Sequence, residues 1–222
     1  MKFTYKIEKK NIRSIRIKLI SKTSFLVSAP FFTPKFIIDG FVKQNMAWIE
    51  TNAKKIARTP KIKNLKSLNI LDQKYDLVFQ KTISNSLIID EKNHQIFINT
   101  TSDTSLHLKK IIDTKLRPFA LKLIKNEIST INKNHNFTVN HITVRNQSSR
   151  FGSCSSRGNL NFNWQIIFFP YPIFRHIIYH ELTHLSIKNH KKEFWEQLSV
   201  YDPDYKIHNK YLKLDYKKHL LC

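Results

Sequence analysis

Tyr179-His180-Glu181-Leu182-Thr183-His184 is the stretch of sequence from which the fold of this chain is predicted. On a helix, His180 and His184 lie one turn apart on the same face, about 6 Å along the axis, so both imidazoles can reach one metal ion. Glu181 lies beside them, where it can act as a base on water. Two imidazole ligands, a carboxylate that is not a ligand and an open coordination position form the HExxH arrangement, which predicts zinc-assisted hydrolysis.

The residues around this motif predict a helix and a turn after it. Apolar residues recur at spacings of one, three and four, which predicts a helix from about Tyr171 to Lys188. Pro170 and Pro172 suit its start. Asn189 suits its end, because Asn tolerates the left-handed conformation that terminates helices. His190 follows at once and is therefore the predicted third ligand.

A competing interpretation takes His180 and His184 as surface residues of an amphipathic helix that match the motif by chance.

His176 lies on the same helix face, four residues before His180. Eight residues separate His176 from His184, about 12 Å along the axis, which is too far for both to bind one ion. We therefore expect His176 to lie on the helix surface or to support the ligands.

Two of the three glycines of the chain bracket a serine-rich loop. Gly152 and Gly158 lie between two predicted strands, Ile142 to Arg145 and Leu160 to Phe168, and glycine there indicates tight turns or a close backbone approach. The second strand alternates apolar residues with asparagines, which predicts one apolar and one amide-rich face. We interpret the loop as a brace for the metal helix.

Ser153 and Cys154 of this loop are the alternative nucleophiles. They do not form a GxSxG motif, and no His-Asp pair is readable nearby. Nucleophilic catalysis is therefore disfavoured.

The same segments resemble a known family. Residues Arg150 to Trp164, the motif through His190, Phe194-Trp195 and Pro203-Asp204-Tyr205 resemble the YgjP-like metallopeptidases, relatives of the SprT-like proteases. The resemblance extends more weakly to Arg13-Ser14-Ile15-Arg16 and Trp48-Ile49, so it covers most of the chain. It departs at Phe151, where the family usually has Trp, and at Ile187, where metzincins place a glycine.

The resemblance implies a zincin-type catalytic domain with His180, His184 and His190 as zinc ligands and Glu181 as general base. The expected fold is α+β, with the HExxH helix beside a small antiparallel sheet in residues 101–222. A β-rich region with one helix precedes it in residues 1–100, and the polar segment Asn99 to Ser105 is the predicted boundary. The remaining predicted elements are a hairpin over 12–19 and 24–30, a helix from Pro34 to Ala57, a basic connector from Arg58 to Asn69, strands at Tyr75 to Phe79, Leu87 to Asp90 and Gln95 to Ile98, a helix from Leu106 to Ile131, a helix containing Phe194, Trp195 and Leu198, and a last helix from Tyr205 to Leu220.

Charge leaves two interpretations open. The net charge is +22, from 38 basic and 16 acidic side chains. Only 8 of the basic residues are arginine, and such a predominance of lysine is typical of proteins encoded by AT-rich genomes. This favours a compositional origin of the positive charge. A functional polyanion surface, with nucleic acid or a nucleotide as partner, is the other interpretation. Four arginines fall within 31 residues before the zinc motif, where they can bind carboxylate or phosphate: Arg145, Arg150, Arg157 and Arg175.

The predicted function is zinc-dependent hydrolysis of a peptide or protein substrate. Glu181 accepts a proton from water and passes it to the leaving amine. Arg145, Arg150 and Tyr205 are the candidates for substrate binding and for stabilising the oxyanion. An extended peptide can pair with an edge strand of the sheet. Two alternatives are a metal-dependent nucleotide phosphohydrolase, such as a nucleoside triphosphate pyrophosphatase, and an SprT-like protease acting on nucleic-acid-bound proteins.

The amino-terminal residues and the cysteine content indicate the cellular compartment of the protein. The first residues contain no apolar run resembling a signal peptide, and no stretch approaches 18 apolar residues. Two cysteines do not form a disulfide framework. The expectation is a soluble cytoplasmic protein with no membrane partner.

Overall fold

A computed structural model describes residues 3–21, 23–58, 65–102, 104–147 and 150–215. The chain divides into two units, Met1–Lys61 and Ile62–Cys222, each with its own core. The boundary predicted from the sequence lay after residue 100 instead. The strands before residue 100 group with the second unit because Ile96 and Ile98 share one apolar core with Leu108 and Ile112.

The first unit contains a three-stranded sheet and two helices. Its strands are β1 (Thr4–Lys10), β2 (Arg16–Leu19) and β3 (Ser24–Pro30), in the order β1-β3-β2. The antiparallel pair β2 and β3 is the predicted hairpin, while β1, which was not predicted, runs parallel to β3. Alternate residues of β3 are buried, as the period of a half-buried strand requires.

The predicted single helix of this unit is two helices, α1 (Lys35–Gln44) and α2 (Met46–Arg58). Asn45 separates them. Its side-chain amide donates to the carbonyl oxygen of Phe41 at 2.8 Å, and its ψ of 11° departs from helical geometry. A side chain that hydrogen-bonds the helix's own backbone in this way competes with the helical ladder.

The second unit begins with a four-stranded sheet and a long helix. The strands are β4 (Ser67–Ile70), β5 (Gln73–Lys81), β6 (Ser86–Asp90) and β7 (Gln95–Thr100), in the order β4-β5-β7-β6. β4 begins inside the predicted basic connector, Arg58 to Asn69, most of whose remaining residues lie outside the described ones. The helix α3 (Ser105–Asn132) follows, and the Thr104 side chain caps it by accepting from the amide of His107.

A second sheet of three strands lies beside the metal helix. It contains β8 (His141–Arg145), β9 (Gly152–Cys154) and β10 (Asn159–Asn163), in the order β8-β10-β9. β9, which was predicted as part of a loop, runs antiparallel to β10. The predicted strand β8 runs parallel to β10, so the sheet is mixed and not antiparallel as predicted.

The strand predicted from Leu160 to Phe168 ends at Asn163 in the structure. Asn163 ends β10 because its side chain accepts from the amide of Gln165 at 3.1 Å and starts a 3₁₀ helix, Trp164–Phe168. All five residues of that helix are buried, so the apolar run reflects burial on every side and not strand alternation.

Three helices complete the unit: α4 (Tyr171–Thr183), α5 (Lys192–Tyr201) and α6 (Tyr205–Asp215). α4 starts as predicted after Pro170, but the predicted end at Lys188 is wrong. The Thr183 hydroxyl donates to the carbonyl oxygen of Tyr179 at 2.8 Å, and the amide of Leu185 bonds back only three residues, to Leu182, at 3.0 Å. These bonds turn the chain out of the helix at His184.

The prediction of a left-handed backbone conformation at Asn189 is also wrong. Among the described non-glycine residues, positive φ occurs at Leu71, Asp72 and His94. Asn189 instead accepts a hydrogen bond from the amide of Lys191 through its side chain, at 3.0 Å. The chain therefore folds back through an ordinary turn that begins earlier than expected.

No helix within the described ranges is long and apolar enough to cross a membrane.

Candidate metal centre

Three imidazoles converge at the end of α4. His180 lies in its last turn, His184 directly follows it, and His190 comes from the segment before α5. The Nε2 atom of His190 lies 3.1 Å from the Nε2 atoms of both His180 and His184. Nitrogens that bind one tetrahedral zinc ion at ~2.1 Å lie about 3.4 Å apart. One ring nitrogen cannot satisfy two such contacts by hydrogen bonding, since it carries at most one proton, so this donor set fits a metal ion.

The protonation of two of these rings suits metal binding. The Nδ1 atom of His184 lies 2.9 Å from the carbonyl oxygen of Ile187, which can only accept, so Nδ1 carries the proton and Nε2 presents a lone pair. Burial, with the neighbouring histidines adding to it, lowers the pKa of His180 to about 3. Burial also lowers the pKa of His184. Both rings are therefore neutral near pH 7, the form that binds metal.

Ile187 stands where metzincins have glycine. The turn here uses the Ile187 carbonyl oxygen to orient His184, and Ile187 is not among the described residues with positive φ. The turn therefore does not require glycine.

Two aromatic residues of α5 hold the histidines in place. Phe194 is fully buried, and its ring centroid lies 4.9 Å from that of His180, 4.5 Å from His184 and 4.7 Å from His190. The indole N–H of Trp195 donates to the carbonyl oxygen of His190 at 3.0 Å. Phe194 and Trp195 were part of the family resemblance and of a predicted helix, but these contacts were not predicted from the sequence.

Glu181 lies beneath strand β9. It is 6% exposed, and its Oε2 atom has no hydrogen-bond partner among the described residues. Burial raises its pKa to about 8, an effect that the Arg150 guanidinium partly opposes. A Cβ atom on Gly152 would lie 2.6 Å from the Cγ and Oε1 atoms of Glu181. The predicted close backbone approach is confirmed, and it is made to this carboxyl group.

The other predicted glycine turn is also confirmed. Gly158 has a φ of +73°, in the left-handed region that side-chain-bearing residues rarely adopt. It lies between β9 and β10 and allows the tight connection between these two strands.

The histidines and Glu181 open into a cavity of about 690 Å³, here called the metal cavity. Strand β9 and Arg150 line one side of it. Asn209, Leu212 and Lys213 of α6 line another, a contribution that the sequence analysis missed. The spacing of Tyr205, Asn209 and Leu212, four and three residues apart, was the available signal for an inward face of this helix.

A second polar cluster lies behind the metal cavity. His176 is buried, and its Nδ1 atom lies 2.5 Å from the Oδ2 atom of Asp202. The Nδ1 atom of His208 lies 2.9 Å from the same oxygen. The three side chains could hold a metal ion, but separations this short are hydrogen-bond lengths, and ligands of one ion lie farther apart. The cluster links α4 to α6, and His176 is a buried supporting residue whose ring lies 6.3 Å from that of His180.

The predicted substrate-binding residues fall in different places. Arg150 lines the metal cavity. Arg145 lines an adjoining groove on the mixed sheet, which Arg150 also lines. The Tyr205 ring stacks on Trp195 at 5.7 Å and is not among the residues that line the metal cavity.

The structure also shows the environments of Arg175 and Cys154. Arg175 forms an ion pair with Glu127 of α3, with an N–O distance of 2.9 Å, so it holds two helices together. Burial raises the pKa of the Cys154 thiol, which disfavours the thiolate that a nucleophile needs.

Comparisons with known proteins identify one family. The YgjP-like family, described as a YgjP-like metallopeptidase domain, matches residues 13–215. Among solved structures, the zymogen of the metallopeptidase jannalysin from Methanocaldococcus jannaschii is 28% identical, and the match covers 43% of this chain and 96% of that chain with a TM-score of 0.36. A TM-score this low does not establish a shared architecture. No curated protein matches the chain significantly.

Proposed function

Because the chain belongs to the YgjP-like metallopeptidase family, whose activity is metal-dependent peptide hydrolysis, we propose that it is a zinc peptidase with His180, His184 and His190 as ligands. The convergence of the three Nε2 atoms carries this proposal. Three imidazoles with an open fourth position are typical of catalytic zinc. Zinc in such a site supplies Lewis acidity, which lowers the pKa of water towards ~7 and polarises a carbonyl group.

Glu181 is the proposed general base. Without metal, burial raises the pKa of its carboxyl group to about 8. A cation bound by the adjacent histidines would favour the carboxylate, which is the form that accepts a proton. A base of this kind can take a proton from the attacking water and deliver it to the leaving amine. Its buried Oε2 atom has no hydrogen-bond partner among the described residues, and the close approach of the Gly152 backbone limits where the side chain can lie.

Strand β9 is the proposed docking strand for an extended peptide. It is an edge strand of the mixed sheet, and its residues Gly152, Ser153 and Cys154 line the metal cavity. Main-chain hydrogen bonds along such an edge hold a peptide independently of its sequence. Arg150, at the start of this strand, is the proposed contact for the substrate carbonyl or a substrate carboxylate. Tyr205 stays a prediction.

The expected nucleotide and nucleic-acid substrates receive no support from the family, whose activity implies peptides or proteins. The direct test offers the zinc-loaded protein an unfolded protein, such as reduced casein, and identifies new termini by mass spectrometry. Glu181→Gln is the matched inactive variant, and we expect it to lower the rate by ~10²–10⁴-fold while retaining zinc. Release of pyrophosphate from a nucleoside triphosphate without any peptide cleavage would contradict the proposal.

A further inference from the structure

The amide-rich face of the mixed sheet forms a groove of about 700 Å³, here called the polar groove. Its floor is built from alternate residues of the three strands, because side chains on a strand point to one face at every second position. Thr143 pairs with Asn161 across β8 and β10, and Ser153 pairs with Asn161 across β9 and β10. The groove therefore has a floor fixed by the strand register.

The charged side chains that line the polar groove are all positive. Arg145 and Arg150 line it, and no carboxylate is among its lining residues. Within the described ranges neither arginine has a carboxylate oxygen within 4.0 Å, whereas Arg117 pairs with Asp113 and Arg175 pairs with Glu127. The two groove guanidiniums are therefore available for an anion from outside the chain.

The neutral residues of the floor also present a donor. The Thr143 hydroxyl donates to the Oδ1 atom of Asn161 at 3.0 Å. This bond orients the Asn161 amide, and its Nδ2 atom, which can only donate, can contact a ligand. A hydrogen-bond donor beside two guanidiniums suits a carboxylate or a phosphate.

The polar groove adjoins the metal cavity at strand β9. Arg150, Ser153 and Cys154 line both. A peptide paired with the edge of β9 would point its side chains alternately to the two faces of the sheet. Every second side chain next to the scissile bond would then face the polar groove.

We propose, on the basis of the proposed peptidase function, that the polar groove is a specificity subsite for acidic side chains of the peptide substrate. Arg145 and Arg150 bind the carboxylate of Asp or Glu by charge-assisted hydrogen bonds, and Asn161 adds a donor from the floor. Phosphate has the same recognition chemistry, but the position of the groove beside the edge strand that lines the metal cavity favours a peptide.

The test compares two fluorogenic peptides that differ only in Glu against Gln at the positions flanking the cleaved bond. We expect zinc-loaded wild type to show a kcat/KM about 10- to 100-fold higher for the Glu peptide, the effect of a charge-assisted hydrogen bond. In Arg145→Gln this ratio should fall towards one. Arg157→Gln is the matched control, since Arg157 lines neither cavity, and it should keep the wild-type ratio.

A binding experiment separates this inference from the proposed function. Fluorescence anisotropy of the same two peptides on zinc-free Glu181→Gln protein measures the groove without catalysis, and the Glu peptide should bind more tightly in an Arg145-dependent way. Cleavage of both peptides at equal kcat/KM would overturn the subsite and leave the peptidase standing. Arg145-dependent binding without cleavage by the wild type would support the subsite and overturn the peptidase. Tighter Arg145-dependent binding of a single-stranded DNA oligonucleotide of equal charge would overturn the peptide assignment.

Discussion

At the scale of single residues, the contact between Gly152 and Glu181 has the most direct consequence. In Gly152→Ala the new Cβ atom would meet Glu181 at 2.6 Å, so the carboxyl group must move. Because a misplacement of ~1 Å can lower a rate by about 10²-fold, we expect a loss of that size in kcat/KM with zinc content unchanged. Gly40→Ala is the control, since nothing lies within 4 Å of that site. Wild-type activity in Gly152→Ala would contradict the position assigned to Glu181.

The proposed ligand set makes a second prediction at this scale. His190→Ala removes one of three ligands and should greatly reduce zinc content, measured by inductively coupled plasma mass spectrometry after dialysis. His107→Ala removes a half-buried histidine that contacts Asn85, away from the metal cavity, and should keep one zinc per chain. Full zinc content in His190→Ala would show that the third ligand lies elsewhere.

The raised pKa of Glu181 predicts how the zinc-free protein responds to pH. Its folded pKa of about 8 lies above the ordinary value of 4.5. Its contribution to stability is therefore complete below pH 4.5 and is lost as the pH rises through 8. In chelator, the free energy of unfolding of the wild type should fall relative to that of Glu181→Gln by a few kcal/mol between pH 4.5 and 8. Urea unfolding curves at several pH values measure this difference, and a constant difference would contradict it.

At the scale of elements, Asp202 connects the metal helix to the wall of the metal cavity. It follows α5 and accepts from His176 of α4 and His208 of α6. Asp202→Ala leaves two imidazole N–H groups without an acceptor, one of them fully buried, so we expect a loss of ~2–4 kcal/mol in the free energy of unfolding. Asp76→Ala removes an exposed carboxylate with a 3.5 Å surface ion pair and should cost less than ~1 kcal/mol. Equal losses in the two variants would mean that the cluster does not stabilise the fold.

At the scale of the whole molecule, the second unit needs its four-stranded sheet. The Asp72 carboxylate accepts from the amide of Tyr171 at the first residue of α4, at 2.8 Å, and the amide of Leu71 bonds the carbonyl oxygen of Ile167 at 2.9 Å. A chain of residues 65–222 should therefore unfold cooperatively and bind one zinc. A chain of residues 101–222 lacks these bonds and the apolar residues of the strands, and it should not. Thermal unfolding and metal content distinguish the two, and a folded, zinc-binding 101–222 chain would restore the boundary predicted from the sequence.

The sequence by itself determined the features that depend on local geometry. The spacing of His180 and His184 places both on one helix face because backbone hydrogen bonds set the helical repeat. The hairpin β2–β3, the start of α4 and the special roles of Gly152 and Gly158 were likewise predicted, since each depends on a few adjacent residues. The family was also recognised from residues alone.

Only the tertiary structure decided which elements meet. The packing of Phe194 on three histidines, the wall formed by α6 and the bond from Asp202 to His176 all join residues whose separation along the chain follows no spacing rule. The partner of Gly152 was unpredictable for the same reason, although the need for a close approach was readable. Local hydrogen bonding sets the shape of an element, whereas burial of its apolar face against other elements sets its neighbours, and that choice is made by the whole core at once.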